Sequence, residues 1–121
     1  MNIEIFEEID STNEYLKRQK DNKNYDIVIA HKQTKGKGTR GRVWLSTEGI
    51  LMFSMVIKED KNISMEEYTK LPLVVGMALL SALEEIEKLP FMFKWTNDIY
   101  LYDKKLSGIL TEKIGEDFIV G

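Results

Sequence analysis

The sequence predicts an α+β fold, in which a mixed or antiparallel sheet packs against helices. Short apolar stretches separated by polar turns predict several strands. Two Ser-x-x-Glu patterns, which begin at Ser11 and Ser64, are typical of helix N-termini. Between residues 65 and 88, apolar side chains recur at helical spacing.

The N-terminal elements are the clearest in the pattern. Isoleucines alternating with acids predict a strand over residues 2–8, and the cap at Ser11 predicts a helix over 12–20. A compact apolar run predicts a buried strand over 26–32, which leads into a glycine-rich segment. A further strand is predicted over 49–57.

The C-terminal half begins with the long helical pattern of residues 65–88, which Pro72 should kink or restart. We expect this helix to be the main packing element against the sheet. Predicted strands follow at residues 91–95, 99–101, 105–113 and 118–120. Polar turns separate them, and the sequence stops at Gly121 directly after an apolar run, which suggests a truncated chain.

Composition limits the class of protein. The 121 residues suffice for one domain with a modest core, and 43% hydrophobic and 31% charged residues are ordinary for a soluble globular protein. Cysteine is absent, which excludes disulfides, thiolate metal sites and a cysteine nucleophile. No signal peptide or membrane-spanning run is visible, so we expect a cytoplasmic protein.

The glycine loop, defined here as residues 33–44, combines three glycines with four cations and contains no acid. These residues are Gly36, Gly38, Gly41, Lys35, Lys37, Arg40 and Arg42. Because the whole chain has a formal charge of −3, the positive charge is local and indicates binding of a phosphate or carboxylate. The alternative is a flexible basic surface loop.

The spacing of Gly36, Gly38 and Gly41 also matches the dinucleotide and kinase glycine loops. Neither context is present. The segment leads into an apolar run that looks like a strand rather than a helix, and the other kinase motifs are missing. The pattern alone therefore identifies no cofactor.

Two further polar groups have both a structural and a functional interpretation. Ser11, Thr12 and Asn13 are typical of a helix cap, yet the same groups at a helix N-terminus can bind a polar ligand. Asn97 and Asp98 fit a hairpin turn, and Lys105 fits a solvated cation. Together these side chains bring an amide, a carboxylate suited to Mg²⁺ and an ammonium suited to an anion near one hairpin.

Four segments in order now carry a resemblance: Ser11-Thr12-Asn13, the glycine loop ending in Arg42-Val43-Trp44, Lys94-Trp95-Thr96-Asn97-Asp98, and Lys105-Leu106-Ser107-Gly108-Ile109-Leu110. The series closely resembles the catalytic domain of the biotin protein ligases over nearly the whole chain. The resemblance implies a fold like that of class II aminoacyl-tRNA synthetases and biotin ligases. Residues 1–121 would form the N-terminal part of that single domain.

The resemblance also assigns roles to individual positions. For biotin binding it implies Ser11, Thr12, Asn13, Gln33, Lys37, Gly38, Thr39, Lys105 and Gly108. For nucleotide binding it implies Gly36, Gly41, Arg42, Trp44 and Asn97. Charge stabilisation in catalysis would come from Lys105, Arg40 and Arg42, and Asp98 would hold Mg²⁺.

The activity implied by the resemblance has two steps. Biotin reacts with ATP to give biotinyl-5′-AMP, and a lysine of a biotin carboxyl carrier protein then takes the biotin. ATP, Mg²⁺, biotin and the carrier protein of acetyl-CoA carboxylase or a related carboxylase are thus the implied partners. A homodimer is compatible with the resemblance; a membrane or an attached DNA-binding domain is not expected.

The sequence departs from the family pattern in three places. Thr39 stands where many members carry arginine, which bears on how tightly the adenylate is held, and Thr96 replaces a proline. The family continues beyond Gly121 with more nucleotide contacts and a small barrel. The alternatives are a lipoate–protein ligase of the same fold, an inactive fragment with partial binding, and a nucleic-acid-binding module, against which the net charge argues.

Overall fold

The α+β expectation is confirmed by the computed structural model, which describes residues 1–121. The elements are β1 (Ile3–Ile9), α1 (Thr12–Arg18), β2 (Ile27–Gln33), β3 (Met52–Lys58), α2 (Met65–Tyr68), α3 (Leu71–Ile86), β4 (Phe91–Lys94), β5 (Asp98–Leu101), β6 (Lys104–Gly108), β7 (Thr111–Ile114) and β8 (Asp117–Val120). A short 3-10 turn covers Thr39–Gly41. None of the helices is both long and apolar enough to cross a membrane.

The chain forms two compact units. The first unit comprises Met1–Asp60 and Leu110–Gly121, and the second comprises Lys61–Ile109. The sheet of the first unit has the strand order β1-β2-β3-β8-β7. Its β1 and β2 run parallel and its other neighbouring strands antiparallel, so the sheet is mixed.

Helix α1 packs against this five-stranded sheet. Val28, Val56 and Ile119 lie on neighbouring strands and are buried together with Leu16 of the helix. Alternate residues of a strand point to the same face, so the sheet presents one continuous apolar surface to the helix. Full burial of each such aliphatic side chain stabilises the fold by roughly 1.5–3 kcal/mol. This packing fixes the N-terminus of α1 over the sheet.

The second unit contains the antiparallel sheet β4-β5-β6 and the helices α2 and α3. Helix α3 packs against β4, and a Cβ added at Gly76 would collide with the ring of Phe93. The glycine therefore allows the close approach of helix and strand. Ser64 caps α2 with both halves of a capping box, as the sequence predicts.

Pro72 does divide the long helical pattern. Helix α2 ends at Tyr68, and α3 restarts at Leu71 with the proline in its first turn, where no amide hydrogen is needed. The expected packing role holds only for the three-stranded sheet. Val74 and Ile86 of α3 are 60% and 78% exposed, whereas α1 supplies the helix side of the core on the five-stranded sheet.

The single strand predicted over residues 105–113 is wrong, because two strands replace it. β6 pairs with β5, and β7 pairs with β8. Ile109 and Leu110 show why: the N–H of Ile109 donates to the carbonyl of Asn97, while Leu110 exchanges two hydrogen bonds with Gly121. Consecutive residues thus form hydrogen bonds with different parts of the chain. The pattern of apolar residues in the sequence carries no information about this change of partner. The other predicted boundaries differ by at most three residues, the largest shift being the start of β3 at Met52.

Candidate active site

Ser11 is the N-cap of α1, which confirms the structural interpretation of this position. Its hydroxyl accepts the N–H of Glu14 at 3.3 Å, and its own N–H donates to Asp10 Oδ1 at 2.8 Å. The second hydrogen bond of the expected capping box, from the Ser11 N–H to the Glu14 carboxylate, is replaced. The Ser11 N–H donates to Asp10, and the Glu14 carboxylate contacts Lys17 and Lys37. Ser11 is buried, and its hydrogen-bonding capacity serves the helix.

Thr12 and Gln33 are brought together at the end of β2. The Thr12 N–H and hydroxyl both donate to Gln33 Oε1, at 2.7 and 3.0 Å. Because a backbone N–H can only donate, the atom facing it must be the amide oxygen of Gln33. Ser46 holds the backbone of the same residue, its hydroxyl accepting the Gln33 backbone N–H at 2.8 Å. The orientation of the Gln33 amide is therefore fixed, with Nε2 facing Gly36.

Asn13 is tied to two strands of the five-stranded sheet, β3 and β7, and to Leu110 directly before β7. Its Oδ1 lies 2.5 Å from Ser54 Oγ, which donates to it, and its Nδ2 donates to Glu112 Oε1 at 3.0 Å and to the Leu110 carbonyl at 3.4 Å. Both Glu112 and the carbonyl offer acceptors only, so the nitrogen must face them. The Asn13 side chain is thereby fixed with its oxygen towards Ser54.

A buried polar cluster results, consisting of Thr12, Asn13, Gln33 and Ser54. Ser54 is fully buried, and Thr12 and Asn13 are nearly so. Ser54 Oγ also lies 2.6 Å from Thr12 Oγ1, so three short contacts between oxygens depend on two hydroxyl protons. The three contacts therefore have one proton fewer than they need, and the cluster has more acceptors than donors. A ligand that brings an N–H donor complements it.

Gly121 closes this cluster. A Cβ at position 121 would collide with Asn13 Oδ1 and lie 2.6 Å from Ser54 Oγ. No side chain fits there, and the backbone of Gly121 is held by its two hydrogen bonds to Leu110. The residue therefore lets Asn13 and Ser54 approach the end of β8.

A chain of ion pairs leads from the cluster to the glycine loop. Glu112 Oε2 lies 3.1 Å from Lys17 Nζ, Lys17 Nζ lies 2.5 Å from Glu14 Oε1, and Lys37 Nζ lies 3.2 Å from the same Glu14 oxygen. The hydrogen bond from Lys17 lowers the pKa of Glu14; burial opposes this, and Lys37 adds to it. Although burial disfavours its charge, Lys17 has a raised pKa because Glu14 and Glu112 surround it.

The glycine loop forms a narrow hairpin. The N–H of Trp44 donates to Gly36 O at 2.9 Å, and the N–H of Gly38 donates to Arg42 O at 2.7 Å. At the tip, Arg40 and Gly41 have φ of 58° and 72°, in the left-handed region. The N–H groups of Gly38, Arg42 and Trp44 are thus used within the loop, and the side chains of its four cations are exposed.

Gly36 is the buried glycine of this hairpin. A Cβ there would lie 2.5 Å from the carbonyl oxygen of Trp44 and 3.0 Å from Gln33 Nε2. Only a glycine allows the two arms of the loop to approach this closely. The same addition at Gly38 meets nothing closer than 3.6 Å.

The remaining predicted residues lie in the second unit, around the β5–β6 hairpin. Asn97 Nδ2 donates to Ile109 O at 2.8 Å, so this amide anchors the turn before β5. Asp98 is paired with Gly108 across the two strands, and Lys105 Nζ lies 3.0 Å from Asp98 Oδ1. The structure therefore brings together the amide, carboxylate and ammonium expected near one hairpin.

Asp98 is the carboxylate expected to hold Mg²⁺. Its Oδ1 is buried, and the Lys105 ammonium 3.0 Å away meets its charge. No group of three or more metal-binding side chains is present. One carboxylate, with part of its charge met by a lysine, fits the way Mg²⁺ is held when phosphates supply most of its ligands.

Ser54, Glu112 and Lys17 were not predicted from the sequence. They complete the hydrogen bonds and ion pairs around Asn13. A signal for Ser54 exists, because it lies between Met52 and Val56 on the buried face of β3. A polar residue in an apolar stripe needs a hydrogen-bonding partner. Glu112 offers no comparable signal, since a glutamate on an edge strand is ordinary.

Comparisons with known proteins give the same family. The model of the biotin/lipoate A/B protein ligase family matches residues 5–121, so the chain belongs to this family. The bifunctional ligase/repressor BirA of Escherichia coli is 37% identical over 116 residues, which are 94% of this chain and 36% of that protein.

Two solved structures are also similar. Biotin protein ligase from Aquifex aeolicus in complex with biotin and ATP has 42% identity and a TM-score of 0.85, covering 98% of this chain and 50% of that one. Biotin protein ligase from Leishmania major in complex with biotinyl-5-AMP has 29% identity and a TM-score of 0.86, with 98% and 55% covered. The chain thus spans about half the length of these structures and about a third of BirA.

Proposed function

We propose that this chain carries the biotin-binding part of a biotin–protein ligase, an ATP-dependent enzyme that forms biotinyl-5′-AMP. The observation that carries the proposal is the buried polar cluster of Thr12, Asn13, Gln33 and Ser54. Relatives named as biotin ligases, with biotin, ATP or biotinyl-5-AMP in their structures, support it.

The cluster favours biotin over lipoate on chemical grounds. The ureido ring of biotin carries N–H donors and a carbonyl acceptor, whereas the dithiolane ring of lipoate carries neither. Leaving buried polar groups without partners is costly, so an apolar ring would be a poor match for an acceptor-rich cluster. Discrimination by unpaired polar groups is the stronger form of specificity.

Activation requires stabilised negative charge rather than a covalent enzyme nucleophile. The biotin carboxylate attacks the α-phosphate of ATP, forms the mixed anhydride and releases pyrophosphate. Lys105, Arg40 and Arg42 supply positive charge for the carboxylate and phosphates. Asp98 would hold Mg²⁺, which when bound neutralises phosphate charge.

The second step that we propose is the transfer of biotin to an acceptor protein. A lysine amine of an acceptor protein attacks the biotinyl carbonyl, and AMP leaves. The acceptor we propose is a biotin carboxyl carrier protein. A cytoplasmic location and a homodimer stay predictions, as does the single domain over residues 1–121.

Isothermal titration calorimetry of the 121-residue protein with biotin and, separately, with lipoate tests the proposal. We expect heat of binding with biotin and none with lipoate at equal concentration. Tighter binding of lipoate than of biotin would favour the lipoate–protein ligase alternative. Binding of neither acid, together with salt-dependent binding of DNA, would favour the nucleic-acid-binding alternative and overturn the proposal.

A further inference from the structure

Glu112 is an acidic group that hydrogen-bonds directly to the buried polar cluster. It lies on the edge strand β7 opposite Ile119, so its side chain points to the face that α1 covers. Oε1 accepts from Asn13 Nδ2 at 3.0 Å, and Oε2 accepts from Lys17 Nζ at 3.1 Å. Each carboxylate oxygen thus has its own donor, and the Lys17 ammonium holds the group in place.

The carboxylate, at 3.0 Å, is the shorter of the two acceptors that set which way the Asn13 amide points; the other is the Leu110 carbonyl at 3.4 Å. An asparagine side chain presents an oxygen in one orientation and an NH₂ group in the other, with nearly equal shape. Glu112 accepts hydrogen bonds only, so the NH₂ group turns to Glu112 and the oxygen to Ser54. In the reverse orientation, two oxygens without a proton between them would face each other at Glu112.

The orientation of Asn13 sets the proton count of the cluster. With its oxygen inward, Asn13 takes the Ser54 proton, and the cluster is left one donor short. With its NH₂ group inward, Asn13 would itself donate to Ser54, and the shortage would disappear. The preference for a ligand with an N–H group therefore depends on a carboxylate that itself belongs to none of the sequence motifs.

We infer that Glu112, held by Lys17, is a positioning residue that fixes the Asn13 amide and so makes the site select a ligand bearing ureido N–H groups. The inference rests on the proposed function, because it names biotin's ureido ring as the group selected. It predicts a loss of ligand discrimination, not only of affinity, when the carboxylate is removed.

The test uses Glu112→Leu, which removes both acceptor oxygens. Glu116→Ala is the matched control, because it removes an exposed acid from the turn of the same hairpin. Calorimetry measures the Kd for biotin and for biotin methylated at one ureido nitrogen. Circular dichroism melting checks that each variant is folded.

We expect Glu112→Leu to weaken biotin binding roughly tenfold, while Glu116→Ala stays within about threefold of the wild type. Methylation should weaken binding to the wild type by a factor at least about fivefold larger than it does in Glu112→Leu. Any steric cost of the methyl group is common to both proteins and cancels in this ratio.

A second readout is independent of biotin. In ¹⁵N NMR spectra of the free protein, the Asn13 side-chain NH₂ protons should exchange slowly in the wild type and Glu116→Ala, and rapidly in Glu112→Leu. Fast exchange in the wild type, or an unchanged methylation ratio in Glu112→Leu, would overturn the inference while leaving biotin binding intact. Failure of the wild type to bind biotin would overturn the proposed function and the inference together.

Discussion

The backbone N–H and the hydroxyl of Thr12 both donate to one oxygen, Gln33 Oε1, at 2.7 and 3.0 Å. This contact joins the first turn of α1 to the last residue of β2, which is also the first residue of the glycine loop. It therefore links two segments that the sequence treats as separate motifs. The hydrogen bond from the Thr12 hydroxyl can be removed by a substitution that keeps the shape of the Thr12 side chain.

Thr12→Val should weaken biotin binding by about tenfold, because the valine keeps the volume of threonine but removes the hydroxyl from the buried cluster. Calorimetric titration measures the effect. Thr47→Val, at an exposed position, is the control and should bind as the wild type does. Equal affinity of the two variants would show that the Thr12 hydroxyl takes no part in binding.

Gly36→Ala should destabilise the glycine loop, whereas Gly38→Ala should be tolerated. The new Cβ would lie 2.5 Å from the Trp44 carbonyl oxygen in the first case and no closer than 3.6 Å to any neighbour in the second. We expect Gly36→Ala to lower the free energy of unfolding by about 1–3 kcal/mol. Urea unfolding followed by tryptophan fluorescence compares the two, and equal stability would contradict the close approach.

Lys105→Met should lower the rate of adenylate formation by roughly 10²–10³, as expected for loss of one oriented charge-stabilising donor. The loss should also leave the partly buried Asp98 carboxylate without its cation. Release of pyrophosphate with biotin and ATP measures the rate. Lys104→Met, at the neighbouring exposed position, is the control, and an identical rate in both variants would remove Lys105 from the catalytic assignment.

The Asp10–Arg18 pair gives a prediction for pH dependence. The Arg18 hydrogen bond lowers the pKa of Asp10 from its ordinary value of 3.8 to about 2, with burial opposing and the Ser11 N–H assisting. Because the folded-state pKa is depressed, the stabilisation is complete above pH 3.8 and is lost as the pH falls towards 2.

Asp10→Asn should accordingly lower stability near neutral pH by less than about 1 kcal/mol, since both side chains are partly exposed. The difference from the wild type should shrink as the pH falls below 3.8 and vanish near pH 2. Urea unfolding across this range measures it. Asp21→Asn, at an exposed position, is the control; a difference for Asp10→Asn that grows in acid would contradict the assignment.

Local patterns were sufficient for the elements whose cause is local. Ser11 and Ser64 begin helices because their hydroxyls cap nearby amides, and Pro72 starts α3 because it lacks an amide hydrogen. The segment motifs likewise brought Thr12 and Gln33 into one predicted site. Pairing of strands was the weak point, since the division between β6 and β7 depends on Asn97 and Gly121, which are distant along the chain.

By itself, the sequence determined the helix starts, the cationic glycine loop and the motifs that mark the biotin/lipoate ligase family. Only the tertiary structure decided that Ser54 and Glu112 meet Asn13, and hence which way the amide points. The physical reason is that a hydrogen bond's direction depends on all the partners around it. Those partners are contributed here by α1, β3 and β7, which are far apart along the chain and adjacent only after folding.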